Sequence, residues 1–177
     1  MYNVLMTEIE LTYLAKFLPK GLETCPSKRL VDIYYPLHVD HPVLRLRDKG
    51  GVYEMTKKKP LSSGDSSVQT EETIILSKEE YDSLAKLPGK RLEKKRFYYP
   101  YDGFIAEIDV FKGMFSGLVL VDFEFQTTEE KNAFKKPDFC LADVTQASFC
   151  AGGILAGKTF EDIASSLAPY RYQKLYE

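Results

Sequence analysis

Three cysteines and two histidines are all the thiolate and imidazole metal ligands that this 177-residue chain offers. Cys25, Cys140 and Cys150 are odd in number and show no C-x-x-C spacing, which argues against a disulfide framework and gives no zinc pattern. They read as ordinary reduced thiols. Long apolar runs are also missing: a stretch such as 117–121 is far below the roughly 20 residues that cross a bilayer as a helix. Near the N-terminus, Glu8 and Glu10 stand where a signal peptide needs an apolar core. Charge of one sign is scarce too, since 24 basic and 26 acidic side chains leave a formal −2. No global field therefore attracts a nucleic acid duplex or a membrane, and any anion site must be local. The expectation is a cytoplasmic protein with no membrane or duplex partner.

What remains is ample for a core. Apolar residues make up 44% of the chain, and its length suits one domain spanning residues 1–177. Val, Ile, Tyr and Phe alternate with charged residues at a period of two in residues 7–14, 28–35, 43–47, 52–58, 68–76, 91–98, 104–111 and 118–125. That period predicts about eight strands. Gly50-Gly51 and Asp102-Gly103 fall between such runs and read as hairpin turns, which favours antiparallel pairing. Residues 59–67, with Pro60 and Gly64 among small polar residues, read as a mobile loop. Helices are fewer. Ser77 with Glu80 caps a helix over 77–87, Thr127 with Glu130 caps one over 127–134, and Thr159 opens another over 159–167, ahead of Pro169. Residues 145–156 are rich in small side chains, and the tail from 157 to 177 is expected to be helical. The fold class is α+β.

The charges on the strands recur with one parity: Glu8 and Glu10; Arg45 and Arg47; Glu54, Thr56 and Lys58; Lys94 and Arg96; Glu107 and Asp109; Asp122 and Glu124. Residues i and i+2 of a strand share a face, so each set points one way, while Ile9, Leu46, Ile108 and Phe123 point the other. For any single set, the ordinary explanation is a polar face turned to water. Six sets together suggest instead the inside of a closed barrel, with helices packed outside on the apolar face. Paired carboxylates offer the hard oxygen donors suited to Mg²⁺ or Mn²⁺. Guanidinium and ammonium groups suit phosphate oxygens, Arg bidentately and Lys as a point charge. A metal–polyphosphate complex would satisfy both sets at once.

These residues, in this order, resemble the CYTH superfamily, the triphosphate tunnel metalloenzymes. The likeness rests on Glu8-Ile9-Glu10, on Leu44-Arg45-Leu46-Arg47, on Met55-Thr56-Lys57-Lys58, on Glu93-Lys94-Lys95-Arg96, on Glu107-Ile108-Asp109 and on Asp122-Phe123-Glu124. It runs from about residue 7 to 156. The resemblance implies a closed eight-stranded antiparallel β-barrel, a tunnel with flanking helices, in which Glu8, Glu10, Asp122 and Glu124 hold the metal. Arg45, Arg47, Lys58, Lys94 and Arg96 would hold the triphosphate. Glu71 and Asp109 would bind a second metal or orient the attacking water. Family activities are hydrolysis of inorganic triphosphate, thiamine triphosphate or an RNA 5′-triphosphate, and cyclisation of ATP.

Two stretches depart from the family. The signature Glu-x-Glu-x-Lys has Thr12 at its third position, and Lys16, the next basic residue of that parity, lies roughly 13 Å further along an extended strand. Where the family often has a polar, basic helix, this chain has Ser148-Phe149-Cys150-Ala151-Gly152-Gly153, so that end of the tunnel is expected to be remodelled or closed. The expected activity is metal-dependent hydrolysis of a linear triphosphate, inorganic triphosphate first. The alternatives are a module that binds polyphosphate or a nucleotide without turnover, and an adenylate cyclase. A cyclase needs a nucleoside pocket, and the aromatic run 97–101 reads as packing and turn.

Overall fold

The computed structural model describes residues 6–62 and 65–176. Eight strands close on themselves: β1 (Met6–Ala15), β2 (Ser27–Tyr35), β3 (Leu44–Lys49), β4 (Tyr53–Ser62), β5 (Asp65–Leu76), β6 (Lys90–Tyr101), β7 (Phe104–Phe111) and β8 (Val119–Phe125). Around the wall the order is β1, β5, β4, β3, β2, β6, β7, β8 and back to β1, with every pairing antiparallel. This is the closed eight-stranded antiparallel barrel, and each strand lies where the period-two pattern placed it. At the β6–β7 hairpin, Asp102 and Gly103 take φ of 46° and 80°, the paired positive values that a two-residue turn of matching twist requires.

Three local expectations change. Residues 59–67 belong mostly to strands, because β4 runs on to Ser62 and β5 begins at Asp65; residues 63 and 64 lie outside the described residues. Pro60 interrupts the pattern but is accommodated where the register shifts, one of the few places a sheet tolerates proline. A ninth strand, β9 (Cys140–Asp143), pairs with the end of β1 at Tyr13–Ala15, on the edge where β5 stops pairing at Ile9. Helices α1 (Lys78–Leu84), α2 (Thr128–Ala133) and α4 (Phe160–Leu167) begin at their Ser77, Thr127 and Thr159 caps. Residues 145–156 yield only a 3₁₀ turn at Ser148–Cys150 and the short α3 (Gly152–Leu155). The tail is helical only as far as the 3₁₀ turn Ala168–Tyr170 and then loses regular structure, since Pro169 stops the ladder. Among the described residues no helix is long and apolar enough to cross a membrane.

The apolar residues form two bodies. Outward-facing Tyr13, Ile108, Val121 and Phe123 pack beneath Phe134 and Phe139. Inward-facing Leu14, Tyr34, Leu92, Phe111 and Leu120 instead meet Leu155, Ile163 and Leu167 of the C-terminal helices. The lumen is therefore charged along part of its length and apolar where the C-terminal segment packs into it.

Candidate active site

A cavity of about 290 Å³ lies within the barrel. Of the eleven site residues named from the sequence, Glu10, Arg45, Arg47, Lys58, Lys94, Arg96, Asp109, Asp122 and Glu124 line it. Glu8 and Glu71 lie beside it, both in ion pairs with Lys58. Strand parity and register explain this convergence. Glu10 lies opposite Glu124 across β1 and β8, Asp122 opposite Glu107 across β8 and β7, and Asp109 opposite Arg96 across β7 and β6.

The basic side chains are largely held by acids. Asp109 forks Arg96, Nε to Oδ1 at 2.7 Å and Nη2 to Oδ2 at 2.6 Å, and also accepts from Lys94. Arg96 further reaches Glu107, and Asp122 at 3.2 Å. A second fork joins Asp32 to Arg47, which donates from Nε at 2.6 Å and from Nη2 at 2.8 Å. Lys58 bridges Glu8 and Glu71. Arg45 stands apart: its Nε is buried with no hydrogen-bond partner. A buried donor without an acceptor costs stability and marks a place where an anion would be welcome.

Burial and neighbours set the acids apart. Burial, reinforced by the carboxylates of Asp122, Glu8 and Glu124 and only partly offset by Lys58, pushes Glu10 up to about 7. Burial likewise raises Glu8. Burial also disfavours the charged form of Glu71, but Lys58 and a hydrogen bond from Thr73 prevail and hold it at about 2. Asp109, fully enclosed, would be raised by burial alone, yet Arg96 and Lys94 bring it to about 2. Burial lowers Lys94 from the usual lysine range.

Among the described residues no three acid, His or Cys side chains converge as a preassembled metal site. The donor chemistry nevertheless fits a hard divalent cation, because Glu10, Asp122 and Glu124 line one cavity and their carboxylates, with Glu8, add to burial in raising Glu10. Thr12 donates to Asp122 Oδ1 at 2.8 Å, so a hydroxyl orients that carboxylate where the family signature has an ammonium.

Several lining residues escaped the sequence reading. Asp32 and Tyr34 share a face with Leu30 on β2, where a single acid between two apolar positions gives no charged pair to mark it. Gln69, which donates to Glu10 Oε1 at 2.8 Å, shares the parity of Glu71. Most of residues 144–153, though not Gln146 or Phe149, line the cavity from a segment with no periodicity to reveal them.

No protein-family model matches the chain. It is 35% identical over 144 residues to an inorganic triphosphatase of Nitrosomonas europaea, covering 80% of this chain and 91% of that protein. An inorganic triphosphatase of Acetivibrio thermocellus is 39% identical over 54 residues, 30% of this chain and 33% of that one. Among solved structures, that of the inorganic triphosphatase NE1496 superposes with a TM-score of 0.62 at 29% identity, over 85% of this chain and 98% of its own. A Bacillus halodurans chain shares the fold alone, with a TM-score of 0.53 at 15% identity over 97% and 94% of the two chains.

Proposed function

The chain belongs to the CYTH superfamily of triphosphate tunnel metalloenzymes, and from that premise we propose that it hydrolyses a linear triphosphate, inorganic triphosphate first, with Mg²⁺ or Mn²⁺. The observation that carries this reading is Arg45, a guanidinium whose buried Nε lacks a partner on the wall of a cavity lined by four further cations and a carboxylate cluster.

Glu10, Asp122 and Glu124, with Glu8 beside them, would hold the metal, which when bound supplies positive charge against the phosphate oxygens. Arg45 takes phosphate oxygens directly. Asp32 and Asp109 grip Arg47 and Arg96 through Nε and Nη2; Nη1 of Arg96 donates to Glu107, and Nη1 of Arg47 stands 4.0 Å from Glu54, so these two guanidiniums reach an anion only as their carboxylate contacts loosen. Lys58 and Lys94 add point charges. Water attacks the terminal phosphorus, the bond to the bridging oxygen breaks, and orthophosphate and diphosphate leave. Phosphoryl transfer of this kind asks mainly for positioning and charge neutralisation. Carboxylates held at about 2, as Glu71 and Asp109 are, make weak proton acceptors. We therefore assign both to orientation: Glu71 through Lys58, Asp109 through Lys94 and Arg96. A cytoplasmic setting accords with three free cysteines.

Purified protein with Mg²⁺ or Mn²⁺ is given triphosphate, ATP and thiamine triphosphate, and orthophosphate, diphosphate and cyclic AMP are measured. Release of orthophosphate and diphosphate in equal amounts from triphosphate is expected. Tight binding without turnover of any substrate would favour the second reading, a capture module, to which Thr12 lends some support by leaving no cation at its position.

A further inference from the structure

Residues 144–153 cross one end of the barrel as a strap. On one side Val144 donates its N–H to the Thr12 carbonyl, and Thr145 Oγ1 accepts from the Thr12 N–H at 3.0 Å. Next to this, Gln146 clasps the start of β5: its Oε1 accepts from the Ser66 N–H at 3.0 Å, and its Nε2 donates to Asp65 Oδ1 at 3.0 Å. This clasp spans the gap along β1 where β5 has stopped pairing and β9 has not begun. On the far side the strap lies on the β2–β3 connection. A Cβ on Gly153 would sit 2.2 Å from the Pro42 carbonyl oxygen and 3.2 Å from His41, and one on Gly152 would sit 2.1 Å from the Tyr34 hydroxyl. Only glycine lets the backbone come so close. Ser148, Ala151, Gly152 and Gly153 consequently form part of the cavity wall, facing His41 and Val43.

We propose that this strap is the specificity element of the site: seated on Tyr34 and Pro42 through its two glycines and clasped to β5 by Gln146, it reserves the cavity for a triphosphate carrying no organic group. The cavity, about 290 Å³, lies at the floor of the range that admits drug-sized ligands. Its charged residues could serve any triphosphate, so discrimination falls to the wall that would meet a nucleoside or a thiazolium. Rejection of a bulkier substrate by a close-fitting wall needs no added charge.

The inference rests on the triphosphatase reading, and the experiment separates the two. Gly153→Ala forces the strap or the 41–43 loop to move, and Gln146→Ala opens the clasp without altering any lumen charge. For wild type and both variants, kcat/KM is measured with inorganic triphosphate and with ATP, and ATP is also titrated as an inhibitor of triphosphate cleavage. The expected result is a fall in triphosphate-over-ATP selectivity of about threefold or more in either variant, with tighter inhibition by ATP, the scale on which small steric changes in a pocket act. Unchanged selectivity and inhibition in Gln146→Ala, with wild-type cleavage of triphosphate intact, overturns the strap proposal even where Gly153→Ala does not fold. A wild type that cleaves no triphosphate overturns the underlying reading and the proposal with it.

Discussion

Replacing Asp32 with Ala strands the Arg47 guanidinium inside the barrel. The two groups are 1% and 5% exposed, and the fork between them is made at 2.6 and 2.8 Å. Removing one partner of a buried pair leaves a desolvated charge and costs about 3–5 kcal/mol. For a chain of this size that corresponds to a melting temperature lower by roughly 6–20 °C, taking about 2–4 °C per kcal/mol. Glu54, at 4.0 Å from Arg47 Nη1, is too distant to replace the fork. Replacing both partners with apolar groups, Asp32→Leu with Arg47→Met, removes the stranded charge, so the double variant is expected to lie close to wild type or above it. Arg47 also holds Asp32 well below the usual carboxylate range, despite complete burial. A depressed folded-state value means that this stability is present above the unfolded value of about 3.9 and is lost as the pH falls below it. Urea titrations of wild type, Asp32→Ala, Asp32→Asn and the double variant, at pH 7 and stepwise down to pH 3, measure these effects. A loss under about 1 kcal/mol in Asp32→Ala at pH 7 would put the pair in the range of exposed ion pairs and refute the reasoning.

Arg45→Ala removes a guanidinium with an unpartnered buried Nε; kcat/KM for triphosphate should fall by the equivalent of about 2–5 kcal/mol, while urea midpoints change little. A urea midpoint that falls as far as in Asp32→Ala would show that Arg45 is a structural cation. Thr12→Lys places an ammonium beside Asp122, whose Oδ1 now accepts from the Thr12 hydroxyl. If the missing cation limits turnover, kcat for triphosphate rises by about tenfold, the scale of one added charge-assisted contact in the transition state; an unchanged or lower kcat would show that this lumen works without it. Thr159→Ala removes the capping box that opens α4 and should cost about 1 kcal/mol by urea titration, without changing kcat.

How much of the chain is legible in its sequence depends on whether a residue's place is fixed by local repetition or by distant contact. The eight barrel strands repeat at a period of two, and closure into a barrel changes which side is wet but not the period. That is why spacing puts Glu8 with Glu10, Arg45 with Arg47, Lys94 with Arg96 and Asp122 with Glu124, each pair on one face of its strand, while the register between strands brings the pairs to one lumen. β9 has only four residues, Cys140–Asp143, too few to show a period, and exists because the end of β1 offers an open edge beyond Ile9. Asp32 obeys the same parity as its neighbours Leu30 and Tyr34, but one acid between two apolar positions forms no pair to mark it. The strap is a different case. Gly152 and Gly153 are needed because Tyr34 and Pro42 stand against them, a requirement of tertiary approach that leaves no trace in hydrophobic spacing.

The paired charges also bear on how a ligand would enter. A lumen of bare cations would be costly to bury, and the same holds for bare carboxylates. Here each set neutralises the other: Asp109 serves Arg96 and Lys94, Asp32 serves Arg47, and Glu8 and Glu71 serve Lys58. In the proposed reaction, a triphosphate arriving alone would have to draw Lys58 away from Glu8 and leave that carboxylate buried without a partner. A divalent cation arriving alone would do the reverse to the lysine. Arriving together, the cation takes the carboxylates and the triphosphate takes the ammonium, so each ion pair is exchanged for another and no charge is stranded. Binding of triphosphate and metal is therefore expected to be mutually reinforcing, each tightening the other by the same factor. Arg45, already free of any carboxylate fork, needs no such exchange, which makes it the natural first contact for the anion.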